Sequence, residues 1–443
     1  MRFSALDWGN KGGNMDRQRM ADLVCWKNKT NRKPLIIRGA RQTGKTWLMK
    51  SFGATHFAKT AYVSFYQNNR MKHLFEQGFS IQQLITGLSI ETGVEITPEE
   101  TLIIFDEIQE SPHALESLKR FGEEAPEYPL VAAGSLLGVL LHGNVSFPVG
   151  KVDNMDLYPM NFREFLGAVD EHGLLQALNS RDMDMINTFH EKYLYWLKNY
   201  LYIGGMPEVV QYFSEHKDYK AIREIQNNLL IQYRGDFGKH ITTGQLPRTQ
   251  MVWESIPVQL AKENKKFFFG QIKKGARSAE FVESIQWLVD CGLIYKVHRV
   301  NEPHVPLSFY KDFSAYKLFL LDVGLLSAMS ELDAGTLLDG NDLFVEFKGA
   351  LTEQFVLQQL ISDTSYHPYY YGTKQATFEM DFMIQKEKNI IPIEVKSSSN
   401  LRSQSLKAFC DKHHPPLAVK FSALPWIIQP VITNMPLYTV CLL

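Results

Sequence analysis

The feature that most constrains this chain is the stretch GARQTGKT at 39–46, which fills the P-loop pattern G-x-x-x-x-G-K-[ST]. It lies between a short apolar strand, PLIIR, and a helical segment, WLMKSFGATHF. Glycines allow backbone N–H groups to curl around phosphates, and the N-terminus of the following helix adds a favourable dipole. In 443 residues a chance match is expected on the order of once in a hundred chains. The predicted nucleotide-binding residues are Gly39, Ala40, Arg41, Gln42, Thr43, Gly44, Lys45 and Thr46.

A second motif favours a site for ATP with magnesium. Asp106 and Glu107 end the apolar strand LIIF, about sixty residues after the P-loop. We expect Lys45 to reach the β- and γ-phosphates and the Thr46 hydroxyl to bind Mg²⁺. Asp106 is placed to hold that ion through its water shell, and Glu107 to orient and polarise the attacking water. The alternative interpretation of the acidic pair is a helix N-cap. Together the two motifs predict ATP hydrolysis as well as binding.

Strands and helices alternate up to about residue 138, which predicts a parallel sheet covered on both faces. Residues 170–240 are mostly helical in pattern, and 251–300 read as two helices followed by a β-ribbon. A last α/β unit begins near residue 308. The chain therefore divides into several units, of which the first carries the P-loop.

The bulk properties exclude several classes of protein. A net charge of −1 does not suit a chain that binds nucleic acid over its whole surface, so any such surface must be local. The four cysteines form no CxxC, which favours reduced thiols over disulfides or a zinc site. No apolar run reaches the roughly 18 residues of a membrane span, and the polar N-terminus is not a secretory signal. We expect a cytoplasmic protein with no membrane partner.

Seven segments, in order along the chain, resemble a prokaryotic family of AAA-type ATPases fused to a C-terminal domain of uncharacterised function. They cover nearly the whole chain from about residue 16. The resemblance implies an ASCE-type P-loop domain, a helical lid, a winged helix and a restriction-endonuclease-like C-terminal domain. The segments are RGARQTGKT (38–46), FDEIQ (105–109), AAGSLLG (132–138), YPMNFREF (158–165), YIGGMPEVV (202–210), LFLLDVGLLS (318–327) and IPIEVKSS (391–398).

The resemblance assigns a predicted domain to each unit of the chain, within the α/β fold class. No substrate-binding motif follows the P-loop domain, which disfavours a metabolic kinase. The predicted units are a flexible tail at 1–15, an AAA-type P-loop ATPase domain at 16–165, a helical lid at 166–245, a winged-helix-like domain at 246–305 and a restriction-endonuclease-like domain at 306–443.

The sequence pattern leaves two interpretations open for each of the other candidate catalytic residues of the ATPase site. Ser135 follows the strand VAAG, where AAA-type ATPases place a polar residue that contacts the γ-phosphate or the water; a turn serine is the equal alternative. Arg120 and Arg163 are candidates for an arginine finger, although either suits a solvated or structural charge. Lys151 stands where the family more often has arginine, which weakens an arginine sensor there.

The C-terminal region contains two alternating segments, ATFEMDFMI (376–384) and IIPIEVK (390–396), joined by the polar turn KEKN. If Gln385 pairs with Ile390, Asp381 lies opposite Glu394, with Cβ atoms about 4.5–5.5 Å apart. The same register places Glu379 opposite Lys396.

Two converging carboxylates beside a lysine suit a magnesium ion and an activated water. They resemble a PD-(D/E)XK nuclease, with Asp381 as the first acid and Glu394 and Lys396 in the (D/E)XK; Met380 precedes Asp381, so the proline-aspartate pair is absent. Glu353 resembles an additional acid of that fold, which makes Glu353, Asp381 and Glu394 candidate ligands of a second Mg²⁺. The alternative is a surface hairpin in which Glu379 pairs with Lys396.

Residues 262–300 carry eight Lys or Arg against four acids, around a helix-turn-helix-like pattern with a following ribbon. Such an excess suits phosphate contacts from a reading helix and a wing. A solvated charged face, or a winged helix used as a protein interface, explains it as well. The main hypothesis is therefore an ATPase that couples nucleotide turnover to a DNA-binding or nuclease-like module. The alternative is a signalling or scaffold ATPase that binds a protein partner or a second copy of itself, with an inactive nuclease-like domain.

Overall fold

The structure is a computed structural model that describes residues 15–134, 150–262, 266–338, 345–372, 379–397 and 403–443. Ser135 and nearly all of the predicted tail lie outside these ranges. No helix within them is long and apolar enough to cross a membrane.

The P-loop region forms a sheet of five parallel strands in the order β2-β3-β4-β1-β5. Parallel strands end at the same edge, so the loop after β1 and the acidic end of β3 meet on either side of β4. This confirms the predicted parallel sheet. The strands are β1 (Leu35–Arg38), β2 (Lys59–Ser64), β3 (Thr101–Asp106), β4 (Leu130–Gly134) and β5 (Asp153–Asp156).

Helices cover both faces of this sheet, which explains why its strands are almost continuously apolar. On β3, Ile103 and Phe105 belong to the core on one face, whereas Leu102 and Ile104 belong to the core on the other. The flanking helices are α1 (Arg19–Lys27), α2 (Lys45–His56), α3 (Asn69–Glu76), α4 (Ile81–Thr92) and α5 (Pro112–Glu124).

A set of helices follows, as the loss of strand periodicity after about 165 predicts. The longest, α11, carries Asp218 at its N-cap, where the carboxylate accepts hydrogen bonds from two backbone N–H groups of the first turn. The helices are α6 (Phe162–Ala168), α7 (His172–Ser180), α8 (Met183–Thr188), α9 (His190–Ile203), α10 (Pro207–His216), α11 (Tyr219–His240) and α12 (Leu246–Leu260).

The rest of the chain builds a mixed eight-stranded sheet in the order β12-β13-β11-β10-β9-β8-β6-β7. Its strands are β6 (Ile294–Val300), β7 (Lys311–Leu320), β8 (Tyr369–Gly372), β9 (Glu379–Lys386), β10 (Asn389–Val395), β11 (Ala418–Ser422), β12 (Ile427–Ile428) and β13 (Ile432–Pro436). Its helices are α13 (Phe269–Ile272), α14 (Val282–Asp290), α15 (Val323–Met329), α16 (Ala334–Leu338), α17 (Val345–Asp363) and α18 (Gln404–His413).

The ribbon expected to be a wing belongs to this C-terminal sheet. Strand β6 pairs antiparallel with β7 and parallel with β8, so the predicted boundary at 305–306 lies in the connection of a β-hairpin. Ile294, Val297 and Val300 are buried along β6, and pairing within a larger sheet covers these apolar side chains and the strand edge. The segment before it forms the four-residue helix α13 and the nine-residue helix α14. A separate winged-helix unit is therefore not confirmed.

One continuous hydrophobic core joins the helical region to the C-terminal sheet. It includes Phe162 and Phe165 of α6, Phe355 of α17 and Tyr438 near the C-terminus. The ring centroids of Phe162 and Phe355 lie 6.0 Å apart. The helical region and the C-terminal region thus share one core, whereas the P-loop sheet has its own cores on its two faces.

Candidate functional site

The P-loop motif follows β1 and ends at Thr46, the second residue of α2. Gly39 requires glycine because a Cβ atom there would lie 2.2 Å from the carbonyl oxygen of Leu157. Gly44 has φ of +90° and caps α2. The backbone conformation that the pattern demands is therefore built into the fold, with the N-terminus of a 12-residue helix behind it.

Lys45 is buried at the base of this loop. Its ammonium donates to the carbonyl oxygens of Gly39, at 3.0 Å, and Ala40, at 2.7 Å. Burial lowers the pKa of Lys45 to about 8, although the nearby carboxylates of Glu107 and Asp106 favour its charged form. A bound phosphate would favour that form further.

This lowered pKa predicts a pH dependence of nucleotide affinity. Below about pH 8 Lys45 is already protonated, so binding needs no proton. Above about pH 8 binding must take up a proton, and affinity should fall toward tenfold per pH unit until the pKa of the bound state is reached. Fluorescent-nucleotide titrations between pH 6 and 10 measure this. The Lys45→Met variant should lack the decline, and a wild-type affinity that is constant over this range would contradict the assignment.

The predicted magnesium ligands lie together at the ends of α2 and β3. The Thr46 hydroxyl donates to Oδ2 of Asp106 at 2.7 Å, and the Glu107 backbone N–H donates to Oδ1 at 3.0 Å. Hydroxyl and carboxylate oxygens are ligands that Mg²⁺ prefers. The geometry thus fits the ion, and Thr46 and Asp106 would hold it.

Tyr62 is a member of this site that the sequence analysis missed. Its hydroxyl donates to Oδ2 of Asp106 at 2.9 Å, and burial together with the Asp106 charge raises the pKa of Tyr62. The available signal was the strand YVSFY, because β2 runs parallel to β3 and ends beside it. Tyr62 therefore fixes one oxygen of the carboxylate expected to support magnesium.

Glu107 follows β3 in a left-handed backbone conformation, with φ of +50°. The amide of Gln109 donates to its carboxylate. A non-glycine residue held at positive φ is uncommon and often marks a functional position. This placement suits the predicted role of Glu107 in orienting water, which remains a prediction.

The P-loop is in direct contact with α11, a helix of the region predicted to be a lid. The guanidinium of Arg41 pairs with the carboxylate of Asp236, and the Tyr233 hydroxyl donates to the Arg41 carbonyl oxygen at 2.9 Å. The side-chain amide of Gln42 donates to Gln232 of the same helix. Three positions of one helix thus touch two consecutive P-loop residues.

The other candidates of the ATPase site make contacts elsewhere. Arg120 Nη1 donates to the Phe79 carbonyl oxygen at 2.9 Å, and Lys151 pairs with Glu123 at 2.6 Å. Arg163 Nη2 lies 2.6 Å from Asp363, whose pKa burial raises to about 6. These contacts explain the arginines as structural charges, and neither contact involves the P-loop.

In the C-terminal sheet the predicted register is confirmed, because Gln385 pairs with Ile390 in the β9–β10 hairpin. The paired residues end at Phe382 and Ile393, and just beyond them Oδ2 of Asp381 accepts a hydrogen bond from the Val395 backbone N–H at 2.8 Å. The hairpin therefore brings the first acid to the beginning of the (D/E)XK segment.

The ion pairs around this hairpin differ from the predicted ones. Glu379 pairs with Lys317 of β7 at 2.5 Å, and Lys396 pairs with Glu394 at 2.9 Å. Lys317 is completely buried, and its ammonium lies 3.9 Å from Oε2 of Glu353. The charges of Glu379, Glu353 and Asp381 raise the pKa of Lys317 against the effect of its burial. The predicted Glu379–Lys396 pair was wrong because a nearer cation comes from a distant strand.

Lys317 is thus a second residue that the sequence analysis missed, and its only signal was one lysine inside the apolar run AYKLFLL. It occupies the acidic cluster expected to hold the second magnesium. Within the ranges that the structure covers, no group of three or more His, Cys, Asp or Glu is arranged to hold a metal ion. Glu353, Asp381 and Glu394 are therefore not gathered into one such group, and their role as ligands of a second Mg²⁺ stays a prediction.

Comparison with known families divides the chain into three matched regions. Residues 31–166 match the family described as "AAA domain". Residues 194–336 and 348–428 match two families described as "Domain of unknown function", DUF8612 and DUF4143. The chain therefore contains an AAA-type ATPase domain, a nucleotide-binding domain. The matches to the other two regions do not identify a nuclease.

Solved structures that align with this chain include a Walker-type ATPase of Pyrococcus abyssi, at 13% identity and TM-score 0.47, covering 72% of this chain and 96% of that one. The Orc1 protein of Aeropyrum pernix in complex with DNA aligns at 15% identity and TM-score 0.30, covering 71% and 92%. Drosophila ORC bound to DNA aligns at 14% identity and TM-score 0.26, covering 74% and 96%. With TM-scores below 0.5, these alignments do not establish a shared fold over the chain. Among curated proteins none matches significantly.

Proposed function

We propose that this chain is a magnesium-dependent ATPase that relays its nucleotide state, through the lid, to a C-terminal region that engages nucleic acid. The observation that carries the proposal is the contact of Arg41 and Gln42 with α11. The side chains that touch the lid belong to the loop that would hold the phosphates. A change at the phosphates would therefore act directly on the lid.

A continuous set of buried hydrogen bonds leads onward from α11. The Gln226 side chain donates to the carbonyl oxygens of Tyr202, at 2.8 Å, and Ile203, at 2.9 Å, at the end of α9. Two residues later the backbone N–H of Gly205 donates to Oδ2 of Asp322 at 2.6 Å. Asp322 caps α15 and accepts a further hydrogen bond from Gln358 of α17 at 3.1 Å.

Hydrolysis and phosphate release would remove negative charge next to Lys45 and Arg41. Arg41 pairs with Asp236, so loss of the phosphate would shift the balance between its two anionic partners. A ligand shifts a conformational equilibrium only by its differential interaction with the two states. The Arg41–Asp236 pair would supply such an interaction if a bound phosphate competed with Asp236 for the same guanidinium.

The relay predicts that hydrogen exchange in α11 depends on the bound nucleotide. With a non-hydrolysable ATP analogue and with ADP, amides of α11 should exchange at different rates in the wild type. Asp236→Asn should reduce that difference, while the analogue remains bound. Glu254→Gln is the control, because Glu254 makes only a loose contact with Arg234 at 3.8 Å on the exposed face. An unchanged difference in Asp236→Asn, or none in the wild type, would contradict the relay.

A second proposal concerns the C-terminal domain, which the Lys317 contacts favour as a recognition scaffold over a nuclease. A buried ammonium among Glu379, Glu353 and Asp381 neutralises the charge that would attract a divalent cation. We expect no DNA cleavage with Mg²⁺ or Mn²⁺. Metal-dependent cleavage that is lost in Asp381→Ala would overturn this proposal and restore the nuclease hypothesis.

The same contacts predict a stability effect. Lys317→Met should lower the free energy of unfolding by about 2–3 kcal/mol, because it leaves buried carboxylates without their cation; the one-third exposure of Glu379 keeps the loss at the lower end. Lys59→Met is the control and should cost at most about 1 kcal/mol, since its partner Glu95 is 81% exposed. Urea unfolding measures both. Equal effects would show that Lys317 is not the central cation of the cluster.

A further inference from the structure

A cleft of about 1200 Å³ lies between the P-loop domain and the eight-stranded sheet. One wall comes from α1 and β5, and the other from β6, the start of β7 and the segment before β8. It is separate from the nucleotide site: none of the predicted nucleotide-binding residues lines it. The two walls differ in whether their charged side chains form ion pairs within the protein.

The wall on the P-loop domain is neutralised by its own ion pairs. Arg19 pairs with Asp22 at 2.8 Å, and Lys29 pairs with Asp153 at 3.0 Å. The remaining acid, Asp156, pairs with Arg38 at 3.0 Å. This wall therefore offers little net charge to a ligand.

The opposite wall carries two lysines, Lys296 and Lys311, that form no ion pair with any described residue. Their ammonium groups lie against aromatic rings instead, Lys296 at 4.2 Å from the ring centre of Tyr316 and Lys311 at 4.9 Å from that of Phe313. Burial and the charge of Lys311 lower the pKa of Lys296. A partly desolvated cation, Lys296, thus lies within electrostatic reach of a second one, Lys311, an arrangement that a bound anion would stabilise.

Aromatic rings accompany these cations. Phe313 is 75% exposed although it lines the cleft. The His298 ring lies 5.9 Å from it, centre to centre, and burial lowers the pKa of His298 to about 4, so this ring is neutral near pH 7. An exposed phenyl face beside two cations matches a ligand that has both a planar base and a phosphate.

We propose that this cleft binds single-stranded nucleic acid, with Lys296 and Lys311 contacting phosphates and Phe313 stacking on a base. A single strand is favoured because its bases are free to stack on a side chain, whereas those of a duplex are already stacked and paired. The proposal deepens the proposed function by naming the class of nucleic acid and its surface. It places nucleic-acid binding on the eight-stranded sheet, whereas the sequence pattern suggested the helices of 246–290.

Binding of a fluorescent oligothymidylate, followed by anisotropy at several salt concentrations, tests the proposal. The double variant Lys296→Gln/Lys311→Gln should bind more weakly, and its slope of log K against log salt should be smaller by about 1.4, or about 0.7 per lost phosphate contact. Phe313→Ala should bind roughly 5- to 100-fold more weakly with little change in that slope. Thermal unfolding of each variant verifies that it is folded.

The control is Lys273→Gln/Lys274→Gln, which removes the same charge from exposed positions of the segment predicted to be a winged helix. It should keep wild-type affinity. Absence of oligonucleotide binding by the wild type, an equal loss in both double variants, or equally tight binding of thymidine monophosphate would overturn the proposal. The assay contains no ATP, so failure of the cleft leaves the ATPase proposal intact, and failure of ATP turnover leaves the cleft result standing.

Discussion

Lys45→Ala should lower ATP turnover by about 10²–10³-fold, the usual cost of removing one preorganised charge that stabilises a transition state. The ammonium of Lys45 is the cation at the base of the loop, and two backbone carbonyls hold it there. Its burial strengthens its interaction with a phosphate, because few waters screen the charge. Phosphate release at saturating ATP and magnesium measures the effect.

The matched control is Lys59→Ala in the same sheet. Lys59 pairs with Glu95 at 2.9 Å on the surface, so its loss should leave turnover within about twofold of wild type. A wild-type protein with no ATPase activity, tested with and without single-stranded DNA, would refute the proposed function. Unchanged turnover in Lys45→Ala would refute the assignment of the site.

Gly205→Ala should have the largest effect on folding, a loss above about 4 kcal/mol or no soluble protein. A Cβ atom at this position would lie 2.0 Å from the carbonyl oxygen of Met160. The obstacle is backbone, which cannot rotate away as a side chain can. The same glycine also donates its N–H to Asp322 and accepts from the Met160 N–H at 2.6 Å. Any shift that relieves the clash would break these hydrogen bonds.

Gly238→Ala provides the comparison within α11. A Cβ atom there meets nothing within 4 Å, so the variant should be as stable as wild type or more stable by up to about 1 kcal/mol, since alanine favours helix. Urea unfolding and soluble yield measure both variants. A Gly205→Ala protein of wild-type stability would show that the junction is loosely packed.

This junction explains why three separated segments of the family resemblance occur together. Met160 belongs to YPMNFREF, Gly205 to YIGGMPEVV and Asp322 to LFLLDVGLLS. In the structure these three residues meet in one buried, hydrogen-bonded contact. It joins the segment after the P-loop sheet to the helical region and to the C-terminal region. The sequence displayed these segments without indicating that they meet.

The sequence by itself determined the features that depend on local pattern. The P-loop and its following helix need particular residues at fixed spacing, and the apolar strand before Asp106 reports burial on both faces. The register of the β9–β10 hairpin followed from its short turn and its alternation, because a shift by one residue would turn every side chain to the other face.

Only the tertiary structure decided which distant residues share a site. Lys317 on β7 reaches Glu379 on β9 although β6 and β8 lie between them in the sheet, and Tyr62 reaches Asp106 across the adjacent strands β2 and β3. No spacing along the chain encodes these contacts. The ribbon of β6 and β7 belongs to the C-terminal sheet because β6 pairs with β8. A local sequence pattern does not indicate that pairing, since β8 lies about seventy residues further along the chain. Sequence periodicity specifies which face of a helix or strand is buried. Packing of the whole chain specifies which other element that face contacts.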